Sequence, residues 1–138
     1  MDQPIGFWLK HLDGLIERTF EHVLGRRGLR RRHWQLLNIV HEGGGADRAA
    51  AAGALRPFWT ADGPSQPEVE DDLAGRGWLV VDGEAYRLTD KGRRAHAEVL
   101  AEVADIRRRS LDGLTGDEYQ AVVGTLRRMS ANLERAIA

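Results

Sequence analysis

The side chains of this chain whose types and spacing could do chemistry are its histidines and its arginines. There are five histidines and no cysteine. His11 and His22 lie three helical turns apart, so on one helix they share a face but stand about 16 Å apart along its axis and cannot hold one ion together. His33 and His41, two turns apart, meet the same objection, and His41-Glu42-Gly43 lacks the second histidine of a zinc-protease helix. A zinc shared across subunits by His11 or His22 with Glu17 or Glu21 stays open. No serine, histidine and acid follow a nucleophile spacing, and Gly43-Gly44-Gly45 follows a helix where a phosphate-cradling loop would follow a strand. The expectation is a chain that is not an enzyme and needs no cofactor.

The arginines carry a different signal. Gly25 to Arg32 holds Arg26, Arg27, Arg30, Arg31 and Arg32 without one acid. Two readings stand side by side: a solvated loop between Gly25 and Gly28, or a cluster that contacts nucleic-acid phosphates through bidentate guanidinium pairs.

The elements that would position these groups follow from periodicity. Apolar residues at Ile5, Leu9, Leu12, Leu15, Ile16, Phe20, Val23 and Leu24 step by threes and fours, which predicts a long amphipathic helix. Its stripe packs within the chain or against another subunit. His33 to His41 reads as a buried helix stopped by the glycine triplet, and Asp47 caps an Ala-rich helix that ends before Pro57. Ser65-Gln66-Pro67-Glu68 is a capping box that opens a helix running to about Arg76. Its outward side holds Pro67, Glu68, Asp71, Ala74 and Gly75, with Glu70 and Asp72 at the flanks, an acidic face turned to solvent.

Trp78 to Val81 and Glu84 to Leu88 read as two strands around Asp82-Gly83, a two-residue hairpin loop. That loop pairs Leu79 with Tyr86 and Trp78 with Arg87, puts Leu79, Val81, Tyr86 and Leu88 on the buried face, and lets Arg87 stack on Trp78. Thr89 starts a helix to about Arg109. Thr115-Gly116-Asp117-Glu118 caps a last helix whose stripe runs from Tyr119 to Ile137. The two terminal helices, each apolar on one side, suggest a helical dimer interface.

A length of 138 residues and 42% hydrophobic residues suit one ordinary domain, and a formal net charge of −1 carries no partner signal of its own. No apolar run approaches the roughly 18 residues of a membrane span, and the start lacks a signal peptide's basic residues. A cytoplasmic protein that makes no use of a membrane is expected.

The order helix, helix-turn-helix, hairpin, long helix, capped helix resembles the MarR family of bacterial transcriptional regulators. The residues that carry it are R-H-W-Q-L-L (Arg32 to Leu37), L-A-G-R-G-W-L (Leu73 to Leu79), Y-R-L-T-D-K-G (Tyr86 to Gly92), and L-T-G-D-E-Y with M-S-A-N-L-E near the end. The resemblance implies a mainly α fold with a small β-hairpin, an α+β winged helix. Residues 1–28 with 95–138 would form the helical dimerisation region and residues 29–94 the DNA-binding lobe. It implies a homodimer on a pseudo-palindromic operator in double-stranded DNA, acting as a ligand-responsive repressor. Ser65, Gln66 and Arg76 are the matching polar positions of the reading helix, and Arg87 a phosphate contact at the base of the hairpin. The family's basic side chain at the wing tip has no counterpart beside Asp82-Gly83. Trp8, His11, Trp34, Phe58 and Trp59 lie on elements that the family places around a pocket for a small, planar aromatic effector, with ordinary core packing the alternative for Trp34 and Phe58. The alternative function is a dimer of this kind that has lost DNA reading and serves as a protein-interaction or small-molecule-binding module.

Overall fold

A computed structural model of the chain describes residues 2–138. One compact unit extends to Ala104 and a second covers Asp105–Ala138. Helix α1 spans Ile5–Leu24, as its periodicity predicts, and a 3₁₀ turn over Gly25–Arg27 leads to α2 at Arg31–Glu42. The glycine triplet then stops α2, with Gly44 and Gly45 at φ of 63° and 129° and the Gly45 amide donating to the Val40 carbonyl at 2.9 Å. After it come β1 (Ala46–Asp47), α3 (Arg48–Ala54), a 3₁₀ turn and α4 (Gln66–Gly75). Strands β2 (Leu79–Asp82) and β3 (Ala85–Leu88) form the hairpin, followed by α5 (Asp90–Ser110) and, in the second unit, α6 (Gly116–Ala136). This is a winged helix-turn-helix, and the mainly α fold with a small β element is as expected.

Four of the helix starts read from sequence use the caps foreseen. The side chains of Asp47, Ser65, Thr89 and Thr115 accept from the amides of Ala50, Glu68, Gly92 and Glu118. Each cap satisfies a donor that the helix itself leaves open, a contribution of about 1 kcal/mol.

The sheet departs from expectation in two ways. It has three strands in the order β1-β3-β2, because Ala46 and Asp47 pair with Tyr86 and Ala85. Two residues after a glycine triplet carry too little pattern to announce a strand. The hairpin register also differs: Leu79 faces Leu88, Val80 faces Arg87, Val81 faces Tyr86 and Asp82 faces Ala85. The loop is therefore Gly83-Glu84, with Gly83 at φ 60° in its first position, the placement a type II′ turn requires. Trp78 lies outside the ladder, and the Arg87 stack on it does not form. Arg76 covers the Trp78 ring instead, its guanidinium carbon 5.2 Å from the centroid.

The core of the lobe takes Leu36, Leu37 and Val40 from α2, Ala51 from α3, Val69 and Leu73 from α4, and Leu79, Tyr86 and Leu88 from the hairpin. Val81, near the tip, is exposed although it points to the same face. Burying these side chains out of water is the main term that holds the lobe together.

The start of α5 is seated on the turn after α4. The Thr89 hydroxyl donates to the Gly77 carbonyl and accepts from the Gly92 amide, while the Thr89 amide donates to the Trp78 carbonyl. Gly92 lies against that same carbonyl, and a Cβ there would overlap its oxygen. The T-D-K-G sequence thus encodes a close approach of helix to backbone. Gly92→Ala is expected to destabilise the chain by about 1–3 kcal/mol, the range for overpacking against atoms that cannot yield. A lower urea midpoint at unchanged denaturant slope is the measurement to make.

Candidate nucleic-acid interface and effector cavity

The start of α4 is fixed by the side chains of Ser65, Gln66 and Glu68. Ser65 accepts from the Glu68 amide at 3.2 Å and the Glu68 carboxylate turns back toward the Ser65 amide, closing the box. Gln66 points inward, its Nε2 donating to the Tyr86 hydroxyl at 2.8 Å and to the Arg48 carbonyl at 3.2 Å.

Pro67, Glu68, Asp71, Ala74 and Gly75 are exposed, in line with the helical wheel. The flanks differ from the sequence reading. Glu70 is buried, 5% exposed, and is gripped by Arg48 through Nε at 2.6 Å and Nη2 at 2.9 Å. The Tyr86 hydroxyl donates to it as well. Burial and this hydrogen bond push the Tyr86 phenol up to about 12, so the hydroxyl remains a donor at any physiological pH. Asp72 accepts from His33 Nε2 at 2.9 Å and from Arg76 Nε at 3.1 Å. The acidic face is therefore narrower than the sequence suggested, because two of its four carboxylates are matched by cations or donors.

Arg48, Glu70 and Tyr86 were missed as a group. Glu70 follows Gln66 by four residues and precedes Leu73 by three, so it lies within the inward stripe of α4. That periodicity is a signal that could have placed it, whereas nothing local joins it to Arg48 or Tyr86.

His33 joins α2 to α4. Its Nδ1 accepts from the Arg30 amide at 3.0 Å while its Nε2 donates to Asp72. Both bonds are made by the neutral ring with its proton on Nε2. Burial lowers the pKa of His33 below its ordinary 6.5, outweighing the attraction of Asp72. His96 on α5 is buried between Trp34 and His41, stacked on both rings at 5.0 and 3.7 Å, with Nε2 2.9 Å from Asn38 Oδ1. Burial and then the neighbouring His41 lower its pKa too.

The arginine cluster divides by partner. Arg27 pairs with Glu98 and Glu102, and Arg30 reaches Glu21 at 3.6 Å. Arg31 pairs with Asp13 and Glu17, and Arg32, 7% exposed, pairs with Glu17 and Gln35. Arg26 is exposed and has no ion pair among the described residues. Arg76, besides Asp72, donates to the carbonyls of Arg27 and Gly28, both at 3.2 Å, and so clamps the loop before α2. Arg87 is exposed on the hairpin's outer face, at the edge of a cavity of about 510 Å³ that also touches His41, Thr89 and Arg93.

Of the five residues expected around an effector, Phe58 lines a cavity. Phe58 borders a space of about 270 Å³ with Asp13 and Glu17 of α1, Arg30 and Arg32, and Asp62. The guanidinium carbons of Arg31 and Arg32 stand 4.9 and 4.8 Å from the Phe58 ring centre. Burial pushes the Glu17 carboxyl up, and hydrogen bonds and charge from Arg32 and Arg31 more than reverse this, leaving it below its ordinary value. Trp34 is in the interior, 4% exposed. Trp59 packs against the core, its indole N–H buried without a partner among the described residues. Trp8 and His11 gather with Phe7 on the exposed start of α1 and do not line the Phe58 cavity. Among the described residues no cluster of three or more His, Asp or Glu could hold a metal. No described helix is long and apolar enough to cross a membrane.

The winged helix-turn-helix so defined is shared with known transcriptional regulators. CouR of Rhodococcus jostii, bound to p-coumaroyl-CoA, is 22% identical with a TM-score of 0.78, over 92% of this chain and 91% of that one. A Mycobacterium tuberculosis MarR family protein in complex with DNA is 21% identical with a TM-score of 0.70, over 93% of this chain and 98% of the other. NadR in complex with 4-hydroxyphenylacetate is 21% identical with a TM-score of 0.71, over 98% of this chain and 100% of that one. The chain has the fold of the MarR family regulators. No family model matches the sequence and no curated protein is similar to it.

Below pH 6.5 the unfolded chain binds protons that His33 and His96 in the folded chain resist. Their contribution to stability is present above pH 6.5 and is lost as pH falls through the lowered folded-state values. The melting temperature is expected to drop between pH 7.5 and pH 5, and His33→Gln to start lower but lose less over the same range.

Proposed function

We propose that the chain is a dimeric DNA-binding transcriptional regulator of the MarR kind, a repressor whose affinity for a pseudo-palindromic operator is set by a small aromatic effector. The observation that carries this reading is the α4 start, presented by its Ser65 cap with Glu70 and Asp72 matched. With the Glu68 amide capped by Ser65 and Pro67 lacking one, the Gln66 amide and the positive dipole end are what this helix start offers a phosphate. Arg26 and Arg87 are the arginines of the foreseen set without an ion pair among the described residues, and they are assigned to the DNA backbone. Arg30, held by one long pair at the surface, joins them when bound. Arg27, Arg31, Arg32, Gln66 and Arg76 act by fixing the scaffold. The exposed apolar faces of α1 (Ile5, Trp8, Leu9, Leu12, Leu15) and α6 (Val122, Met129, Leu133) are assigned to subunit contact.

A salt titration of binding to a palindromic duplex from upstream of its own gene, read by fluorescence anisotropy, tests the DNA reading. With about six phosphates engaged across the dimer, affinity should fall roughly a thousandfold between 50 and 200 mM salt. Absence of binding at low salt overturns the proposal. The alternative, a protein-interaction module that has lost DNA reading, has one observation in its favour: Glu68, Asp71, Asp82 and Glu84 are all exposed.

The Phe58 cavity is assigned to the effector, an aromatic acid able to displace Glu17 from Arg32. A bound compound at a hundred times its Kd should stabilise the chain by about 2.7 kcal/mol. In Phe58→Ala the rise in melting temperature should vanish while operator affinity stays. No rise with any member of a panel of aromatic acids counts against an effector at this site.

A further inference from the structure

The guanidinium of Arg48 has two faces of use. Nε and Nη2 form one fork, and both bonds of that fork go to the two oxygens of Glu70, at 2.6 and 2.9 Å. The other fork, Nη1 with the second hydrogen of Nη2, has no partner among the described residues. The side chain is 35% exposed against 6% for Glu70, so the pair is buried at its acid end and open at its cationic end. That open end borders a groove of about 300 Å³ lined by Arg48, Ala49, Ala52, Gln66, Pro67 and Glu84. The groove joins the start of α3 to the start of α4 and the hairpin loop, whose Glu84 carbonyl accepts the Arg48 amide at 2.8 Å.

We propose that Arg48 is a DNA-phosphate contact, its outer fork bridging a backbone phosphate to the buried carboxylate of Glu70. This rests on the reading of α4 as the DNA-facing helix. A planar guanidinium can bind one anion on each fork, and a fork already held on one side loses little rotamer freedom when it takes a second anion. Tyr86 and Gln66 are positioning residues for it. Tyr86 donates to Glu70 and accepts from Gln66, while Gln66 also donates to the Arg48 carbonyl, so the guanidinium is fixed relative to both helix starts. Glu84 is the one acid of the groove that opposes a phosphate there. Its carboxylate is exposed and makes no hydrogen bond or ion pair among the described residues.

The test is the salt dependence of binding by the full chain to the palindromic duplex and to a scrambled duplex of equal length. Because Arg48→Ala would leave Glu70 buried and unmatched, the variant of choice carries Arg48→Met with Glu70→Met, and its fold is checked by its melting curve. Releasing one phosphate per subunit should weaken both duplexes alike, by about tenfold or more at 100 mM salt, and lower the slope of log K on log salt by about 1 for each phosphate released. If that variant does not fold, Arg48→Lys serves, since one ammonium cannot hold Glu70 and a phosphate through two separate forks; both duplexes should again weaken alike. Glu84→Gln should strengthen both. Binding by the unaltered chain with affinity and slope unchanged in a folded variant overturns the role of Arg48 alone. No duplex binding by the unaltered chain overturns the regulator reading and this inference together.

Discussion

A buried carboxylate is the constraint on which the lobe turns. Glu70 is on the inward side of α4, where an unmatched charge would cost several kcal/mol. The matching groups come from three places far apart in the chain: Arg48 at the head of α3, Tyr86 in the central strand, and, through Tyr86, Gln66 at the head of α4. None of the three can shift without exposing the charge to an apolar interior. The relation of α4 to the hairpin is therefore specified by hydrogen-bond geometry as well as by packing, and geometry has a direction that the hydrophobic term lacks.

His33 and Arg76 do the same on the opposite flank. Asp72 ties α4 to α2 through His33, and Arg76 ties the end of α4 to the loop that carries the arginine cluster. The formal charges read along the sequence are thus a poor guide to the field a duplex would meet. An acidic helix and a basic loop become, in the folded chain, two partly neutralised surfaces, with Asp71, Arg26 and Arg87 among the charges left facing solvent without a partner among the described residues.

Much of the fold was legible because it rests on local rules. Apolar steps of three and four fixed α1 to the residue, and Ser65 with Glu68 fixed where α4 begins. The sheet was less legible, since a two-residue strand has no period and the choice between Asp82-Gly83 and Gly83-Glu84 depends on which strand ends can pair. The site was the least legible part. Trp8 and Trp34 were grouped by the elements that carry them, yet one is exposed near the chain start and the other is interior. Arg32 reads as a surface charge until Glu17 and Phe58, distant in sequence, close around it. Long-range pairing of this kind leaves no mark on spacing.

The hairpin loop carries a consequence for how such a chain can change over time. Moving the loop from Asp82-Gly83 to Gly83-Glu84 alters every cross-strand partner, yet Leu79, Tyr86 and Leu88 stay on the inner face, because the summed shift is two residues and the pleat repeats every two. The tip can therefore slide, or grow and shrink by residues in pairs, without turning a core side chain outward. Sequence drift at the wing is decoupled from the integrity of the core, which leaves the tip open to selection for whatever surface it meets.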